Sequence, residues 1–225
     1  VGKIVAGKPL PSELTHENIP AVERGLGVLG AAIRIVKLMG VPVVVAVNRF
    51  ETDTDAELRF VAERAQGLGA ERGVVSDLHA RGGAGGVELA EAVVEAVQKP
   101  ATMKLLYPDE LPIKEKIRLL ATLIYGADDV EYMPEANRKI KLYTDLGFGR
   151  LPICMAKTHL SFSHDPDWKG VPKGYKFPVR DVRLSAGAGF LYPLAGEMMT
   201  MPGLGSSPAA IRVDIDEQNQ TLGLF

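Results

Sequence analysis

Residues 41–47, Val41-Pro42-Val43-Val44-Val45-Ala46-Val47, form an unbroken apolar run that ends in Asn48-Arg49-Phe50. A run without apolar–polar alternation is the pattern of a strand covered on both faces of a parallel sheet. A parallel sheet needs crossovers, and helix patterns stand on both sides of the run. Upstream, Ile19, Val22, Leu26, Leu29, Ile33 and Val36 recur at helical spacing over 18–38. Gly25, Gly27 and Gly30 interrupt that pattern, each at a cost of roughly 1 kcal/mol against Ala, and Gly40 stops it. Downstream, Thr52-Asp53-Thr54-Asp55 is a string of capping residues, and 55–68 is helical with Leu58, Val61, Ala62 and Ala65 on one face. Residues 72–78 read as a second strand, 81–86 as a flexible glycine loop, and 87–98 as a further helix. The order is that of an α/β fold with right-handed crossovers.

Pro100 and Pro108 mark a break. Beyond it, helices are expected at 111–125 and 134–146, and strands at 130–133, 151–155, 179–184, 189–194 and 211–215, around a polar loop at 161–176 that holds Trp168. The expected organisation is therefore residues 1–100 as one α/β unit and 101–225 as a smaller one.

Composition narrows the classes of function. Lys plus Arg number 26 and Asp plus Glu 28, a net charge of -2. That balance argues against a nucleic-acid or anionic-lipid partner. One cysteine, Cys154, excludes a disulfide framework and a cysteine zinc cluster. The longest apolar run is far too short to span a bilayer, and the first residues do not read as a signal peptide. The expectation is a soluble protein of the cytoplasm. The chain opens at Val1 rather than Met, which a processed start, a cut or a lost front would each explain.

No Gly-x-x-x-x-Gly-Lys-Ser/Thr motif occurs. Gly187-Ala188-Gly189 lacks the third glycine of a dinucleotide fingerprint and lies among strands, as a tight turn would. The strand ends carry more chemistry. In open α/β sheets ligands bind beyond the carboxyl ends of strands, where this chain has Asn48-Arg49-Phe50 and Leu78-His79-Ala80-Arg81-Gly82-Gly83. Phe50 and His79 there would flank a flat heterocycle while the glycines let its tail pass. Taken singly, a phenylalanine such as Phe50 is more often a core ring covering a helix, and a histidine such as His79 more often a satisfied loop residue. His159 and His164 lack the further ligands a metal needs, so their loop reads as polar lining. Met198, Met199 and Met201 suit either an adaptable pocket or core packing. Cys154, within the apolar 151–155, is expected to be a buried packing residue.

Several ordered stretches together resemble the formate–tetrahydrofolate ligases, the 10-formyltetrahydrofolate synthetase family. They are 41–50 with Thr52-Asp53-Thr54 and Ala56-Glu57, Ile124-Tyr125-Gly126-Ala127-Asp128, Gly147-Phe148-Gly149, 151–158, 185–190, 200–204 and the final Gly223-Leu224-Phe225. The resemblance runs from about Gly7 to Phe225. It implies a P-loop NTPase-like doubly wound parallel sheet, of which this chain holds the C-terminal part, followed by the smaller α/β unit.

The resemblance also implies a reaction. ATP with Mg2+ phosphorylates formate, and the N10 amine of tetrahydrofolate attacks the formyl carbon and expels phosphate. Phosphate cradle and lysine would lie in an N-terminal P-loop-bearing portion, and the enzyme would be a homo-oligomer. The folate side carries over to Asn48, Phe50, His79, Gly82 and Gly83. Phe50 matches the family's stacking phenylalanine, whereas His79 stands where the family usually has tryptophan. Met201, Pro202, Gly203 and Leu204 are expected near the adenine. The competing readings are a non-catalytic subunit that completes a separate P-loop polypeptide, and an unrelated dinucleotide-binding domain whose fingerprint fails.

Overall fold

The structure, a computed structural model, describes residues 11–196, 211, 213–217 and 221–223. Helix α1 (Ile19–Leu38) opens on Asn18, whose side chain accepts from the Ala21 N–H, and Pro20 occupies the first turn, where no N–H is needed. Strand β1 (Val44–Asn48) follows, then α2 (Asp55–Gly67), capped by Thr54 through the Glu57 N–H. Strand β2 (Arg72–Ser76) pairs with β1 in parallel, Val44 opposite Arg72 and Asn48 opposite Ser76. The expected loop over 81–86 is helical instead: the one-turn α3 (Leu78–Arg81) runs into a 3-10 stretch, Gly82–Gly86, and then α4 (Val87–Val97).

Ile33, Val43, Ala65 and Ala70 form the buried cluster of this half, with Leu29 and Val45 against it. On the opposite face, α4 buries Ala92 and Ala96, and Arg72 of β2 reaches its Glu88 and Glu95 at 3.1 and 3.4 Å. The expectation that the valine strand is covered on both faces fails. Ala46 and Asn48 are exposed and Val44, Val45 and Val47 half-buried. Among the described residues β2 is the sole strand partner of β1, so the parallel sheet described here has two strands.

Residues 99–111 run without regular structure beside the end of α1, with Thr102 N–H to Gly40 O and Lys104 N–H to Met39 O. The second half then builds α5 (Ile113–Leu123), β3 (Asp129–Tyr132), α6 (Pro134–Asp145) and β4 (Lys176–Val179), with β4 parallel to β3. The strand expected over 179–184 divides at Arg180, and β5 (Asp181–Ser185) turns away to pair antiparallel with β6 (Phe190–Leu194). Gly187-Ala188-Gly189 is the turn of that hairpin, closed by Gly189 N–H to Ser185 O. The strand expected over 151–155 is an extended segment that touches β6 through single bridges, Ile153 to Leu191 and Ala156 to Leu194. A last short pair joins β7 (Asp214–Ile215) to β8 (Thr221–Leu222). Ile113, Ile117, Ala136, Phe177, Val179, Val182 and Leu191 make up most of the second buried cluster. Lys116 lies within it, wholly buried, donating to the Gly149 and Leu151 carbonyls at 3.0 and 3.1 Å.

Candidate functional site

Helix α1 precedes β1 and α2 follows it, so both helices start at the carboxyl end of that strand. Their first turns meet there. The Glu57 carboxylate accepts from the Asn18 N–H at 2.7 Å and from the Thr54 hydroxyl at 3.3 Å, tying one helix start to the other. Beside this junction opens a cleft of about 620 Å³. His16, Asn18, Arg24, Asn48, Asp53 and Glu57 supply its polar lining, and Val22, Val47, Leu58 and Val61 its apolar wall. Two helix N-termini give the mouth a partly positive character that the Asp53 and Glu57 carboxylates offset.

Asn48 lies in this cleft, at the exposed end of β1. Phe50 stands between two lining residues, Asn48 and Asp53, in a turn closed twice. Its N–H donates to the Asp53 carboxylate at 2.9 Å, and its carbonyl accepts from the Asp53 N–H at 3.1 Å. The turn leaves the ring 70% exposed, which excludes the core reading. Next to it, Arg49 N–H donates to Ser76 O at 3.0 Å, and its guanidinium reaches Asp55 at 2.7 Å. That hydrogen bond raises the Arg49 pKa and lowers that of Asp55, the charge attraction of the pair adding in each case.

His79 lies one strand over, exposed in α3. The backbone around it is fixed by close approach. Asp77 N–H donates to Gly85 O, and a Cβ on Gly85 would stand 2.2 Å from the Asp77 carbonyl oxygen. Gly82, at φ +56°, makes the turn out of α3 in a conformation that favours glycine. Gly83 lines a different, more apolar groove of about 930 Å³, formed along α4 with Leu78, Val87 and Val94. The structure thus joins the Asn48 and Phe50 loop to the cleft, sets His79 and Gly82 on the neighbouring strand end, and turns Gly83 to the α4 side. Met201, Pro202, Gly203 and Leu204 lie outside the described residues, as do Met198 and Met199.

His16, Asn18, Arg24 and Glu57 were missed as site residues. The signal for two of them was present. Asn18 caps α1 and Glu57 lies in the first turn of α2, and helices on either side of one strand start at the same end of it. Cys154, expected in the core, is exposed, because its segment lies along the border of β6 rather than inside a sheet. Lys157, in the following loop, is half-buried over the Tyr125 ring at 5.2 Å, and burial lowers its pKa. Among the described residues no three His, Cys, Asp or Glu side chains gather as a metal site, and no helix is long and apolar enough to cross a membrane.

The comparison with known proteins agrees with the sequence resemblance. The chain is 60% identical over all 225 residues to a formate–tetrahydrofolate ligase of Desulforamulus reducens, of which it spans 40%. It is 52% identical over 221 residues to the ligase of Roseiflexus castenholzii, of which it spans 39%. Against the human cytoplasmic C-1-tetrahydrofolate synthase it is 50% identical over 223 residues, 24% of that protein. The sequence profile described as formate–tetrahydrofolate ligase matches residues 3–225, and the chain belongs to that family.

Proposed function

We propose that this chain supplies the tetrahydrofolate-binding portion of an ATP-dependent formate–tetrahydrofolate ligase. The observation that carries the reading is the family match over 3–225 in a chain without a P-loop motif. The exposed Phe50 ring beside a part-apolar cleft at a strand end supports it. In this reading the pterin stacks on Phe50 with His79 as the second wall, Asn48 meets its polar edge, and the tail passes Gly82 toward the α4 groove that Gly83 lines. Met201, Pro202, Gly203 and Leu204 border the adenine. Formyl phosphate, made from formate and MgATP, is delivered from a P-loop-bearing portion, and the N10 amine displaces its phosphate. Holding amine and anhydride together, in a site that meets the developing charge with fixed dipoles, supplies the rate.

The same reading divides the chain near residue 100, and makes the first unit part of a P-loop NTPase-like doubly wound sheet. It places the enzyme in the cytoplasm as a homo-oligomer. Formate-dependent ADP release tests it. The purified chain alone is expected to release none, and addition of the P-loop-bearing portion of a family ligase is expected to give turnover. Turnover by the chain alone would overturn this division of labour.

A further inference from the structure

Asp77 stands between the two loops of the candidate site. It is half-buried just past the end of β2, directly after Ser76, which pairs with Asn48. Its main chain is held on both sides. The N–H donates to Gly85 O at 3.1 Å, and the carbonyl accepts from the Arg81 N–H at 3.0 Å. Asp77 occupies the position before α3 where a carboxylate ordinarily caps the helix, but its side chain makes no capping bond. Two neighbouring carboxylates have their donors. Asp53 accepts from the Phe50 N–H at 2.9 Å, and Asp55 from the Arg49 guanidinium at 2.7 Å. Among the described residues, Asp77 alone of these three has neither hydrogen bond nor ion pair to its side chain. The Arg49 guanidinium feels the Asp77 charge, yet directs its hydrogen bond to Asp55. A half-buried carboxylate with a fixed backbone and no donor in the described fold is preorganised to accept from a ligand.

We propose that Asp77 is a binding and specificity residue for tetrahydrofolate, its carboxylate accepting from the 2-amino group and the N3–H of the pterin. The inference rests on the proposed function and deepens it. A 2-amino-4-oxo pterin presents those two N–H donors side by side, next to its 4-oxo acceptor. Such a fork matches the two oxygens of a carboxylate, as a guanidinium does. The position suits the pairing. A ring held between Phe50 and His79 sets one edge at the strand ends, where Asp77 follows the Asn48–Ser76 pair and precedes His79 by two residues. The Asn48 amide is then left for the 4-oxo group. The other carboxylates of the site are committed, Asp53 and Glu57 to backbone N–H groups and Asp55 to Arg49. The anionic parts of the substrates, the glutamyl tail and the formyl phosphate, are repelled by an ionised carboxylate, which leaves the donor-bearing pterin edge as its occupant.

The test uses the ligase assembled from this chain and the P-loop-bearing portion. The probes are tetrahydrofolate and an analogue in which methyl replaces the 2-amino group. Wild type is expected to bind the analogue at least roughly tenfold more weakly, because the carboxylate then loses one of its two donors. Asp77→Asn keeps the shape and offers one acceptor in place of two. It is expected to melt near the wild-type temperature, since the carboxylate holds nothing in the described fold. Its KM for tetrahydrofolate is expected to rise at least roughly tenfold, with kcat and the KM for ATP unchanged, and its preference against the analogue to shrink to little. An aspartate with a structural role only would not move that preference. Equal binding of the two probes by wild type, or a preference that Asp77→Asn leaves intact, would overturn the assignment. So would an Asp77→Asn chain that melts far below wild type, since the carboxylate would then be holding the fold. Phe50→Ala in the same assay separates the two levels. If it weakens tetrahydrofolate while Asp77→Asn does not, the functional reading stands and the Asp77 assignment falls; if neither does, both fall.

Discussion

Arg49 holds Asp55 at 2.7 Å, and this pair fastens the end of β1 to the first turn of α2 across the turn that carries Phe50. The pair gives a pH dependence with a definite sign. Asp55 is held below its ordinary 3.8, chiefly by the hydrogen bond from Arg49. Its contribution is present in full above the ordinary value and is lost as pH falls through the lowered one. Asp55→Asn is therefore expected to lower the urea midpoint slightly at pH 7, with the difference fading in acid. A difference unchanged at low pH would show that the pair contributes nothing.

Thr54→Ala removes the cap on α2 and one of the two groups that hold Glu57 at the junction of helix starts. The loss expected is about 0.5–2 kcal/mol, the usual range for such caps. The denaturation midpoint, at unchanged slope, measures it.

Lys116→Met keeps most of the stem but leaves the Gly149 and Leu151 carbonyls without their donor. An unsatisfied buried acceptor costs about 1–3 kcal/mol, so a loss of at least that order is expected. Burial also lowers the Lys116 pKa from 10.5. Between the lowered value and the ordinary one, the unfolded chain holds a proton that the folded chain has released, so this group makes stability rise with pH there. Comparing wild type with Lys116→Met at pH 7 and above isolates that rise, which the variant lacks.

Cys154 is expected to react stoichiometrically with a thiol reagent in the native chain, since its side chain is exposed. Labelling only after denaturant is added would contradict this.

The sequence made the local elements legible and left their surroundings obscure. Thr54, within the capping string 52–55, marked the start of α2 because capping is a property of neighbouring residues. The exposure of Ala46 was not legible, because a run of valines reports the sheet it suits and not the strands standing beside it. The split at Arg180 has a similar origin. Phe177, Val179 and Val182 are all buried, but β4 and β5 belong to different pairs, and an apolar run does not show where a chain changes partner. For the site, Phe50 and His79 were readable as strand-end residues. Arg24 and His16 were not, since they reach the cleft only through the packing of α1 against α2.

His79 tests how the second wall works. Indole offers more stacking surface than imidazole, and an aromatic pair adds about 0.5–1.5 kcal/mol beyond area. His79→Trp is expected to tighten tetrahydrofolate by up to roughly tenfold. An affinity that instead rises as pH falls near 6.5, with no gain from tryptophan, would mean that the imidazole meets the ligand as a cation.

The most direct measurement is the tetrahydrofolate affinity of the ligase reassembled from this chain and the P-loop-bearing portion, wild type against Phe50→Ala, with ATP affinity read in parallel. The Phe50 ring is 70% exposed, so its removal leaves the core intact. The account predicts tetrahydrofolate binding at least roughly tenfold weaker, a loss of about 1.4 kcal/mol or more, with ATP affinity unchanged. A Phe50→Ala enzyme that binds tetrahydrofolate as tightly as wild type would contradict it.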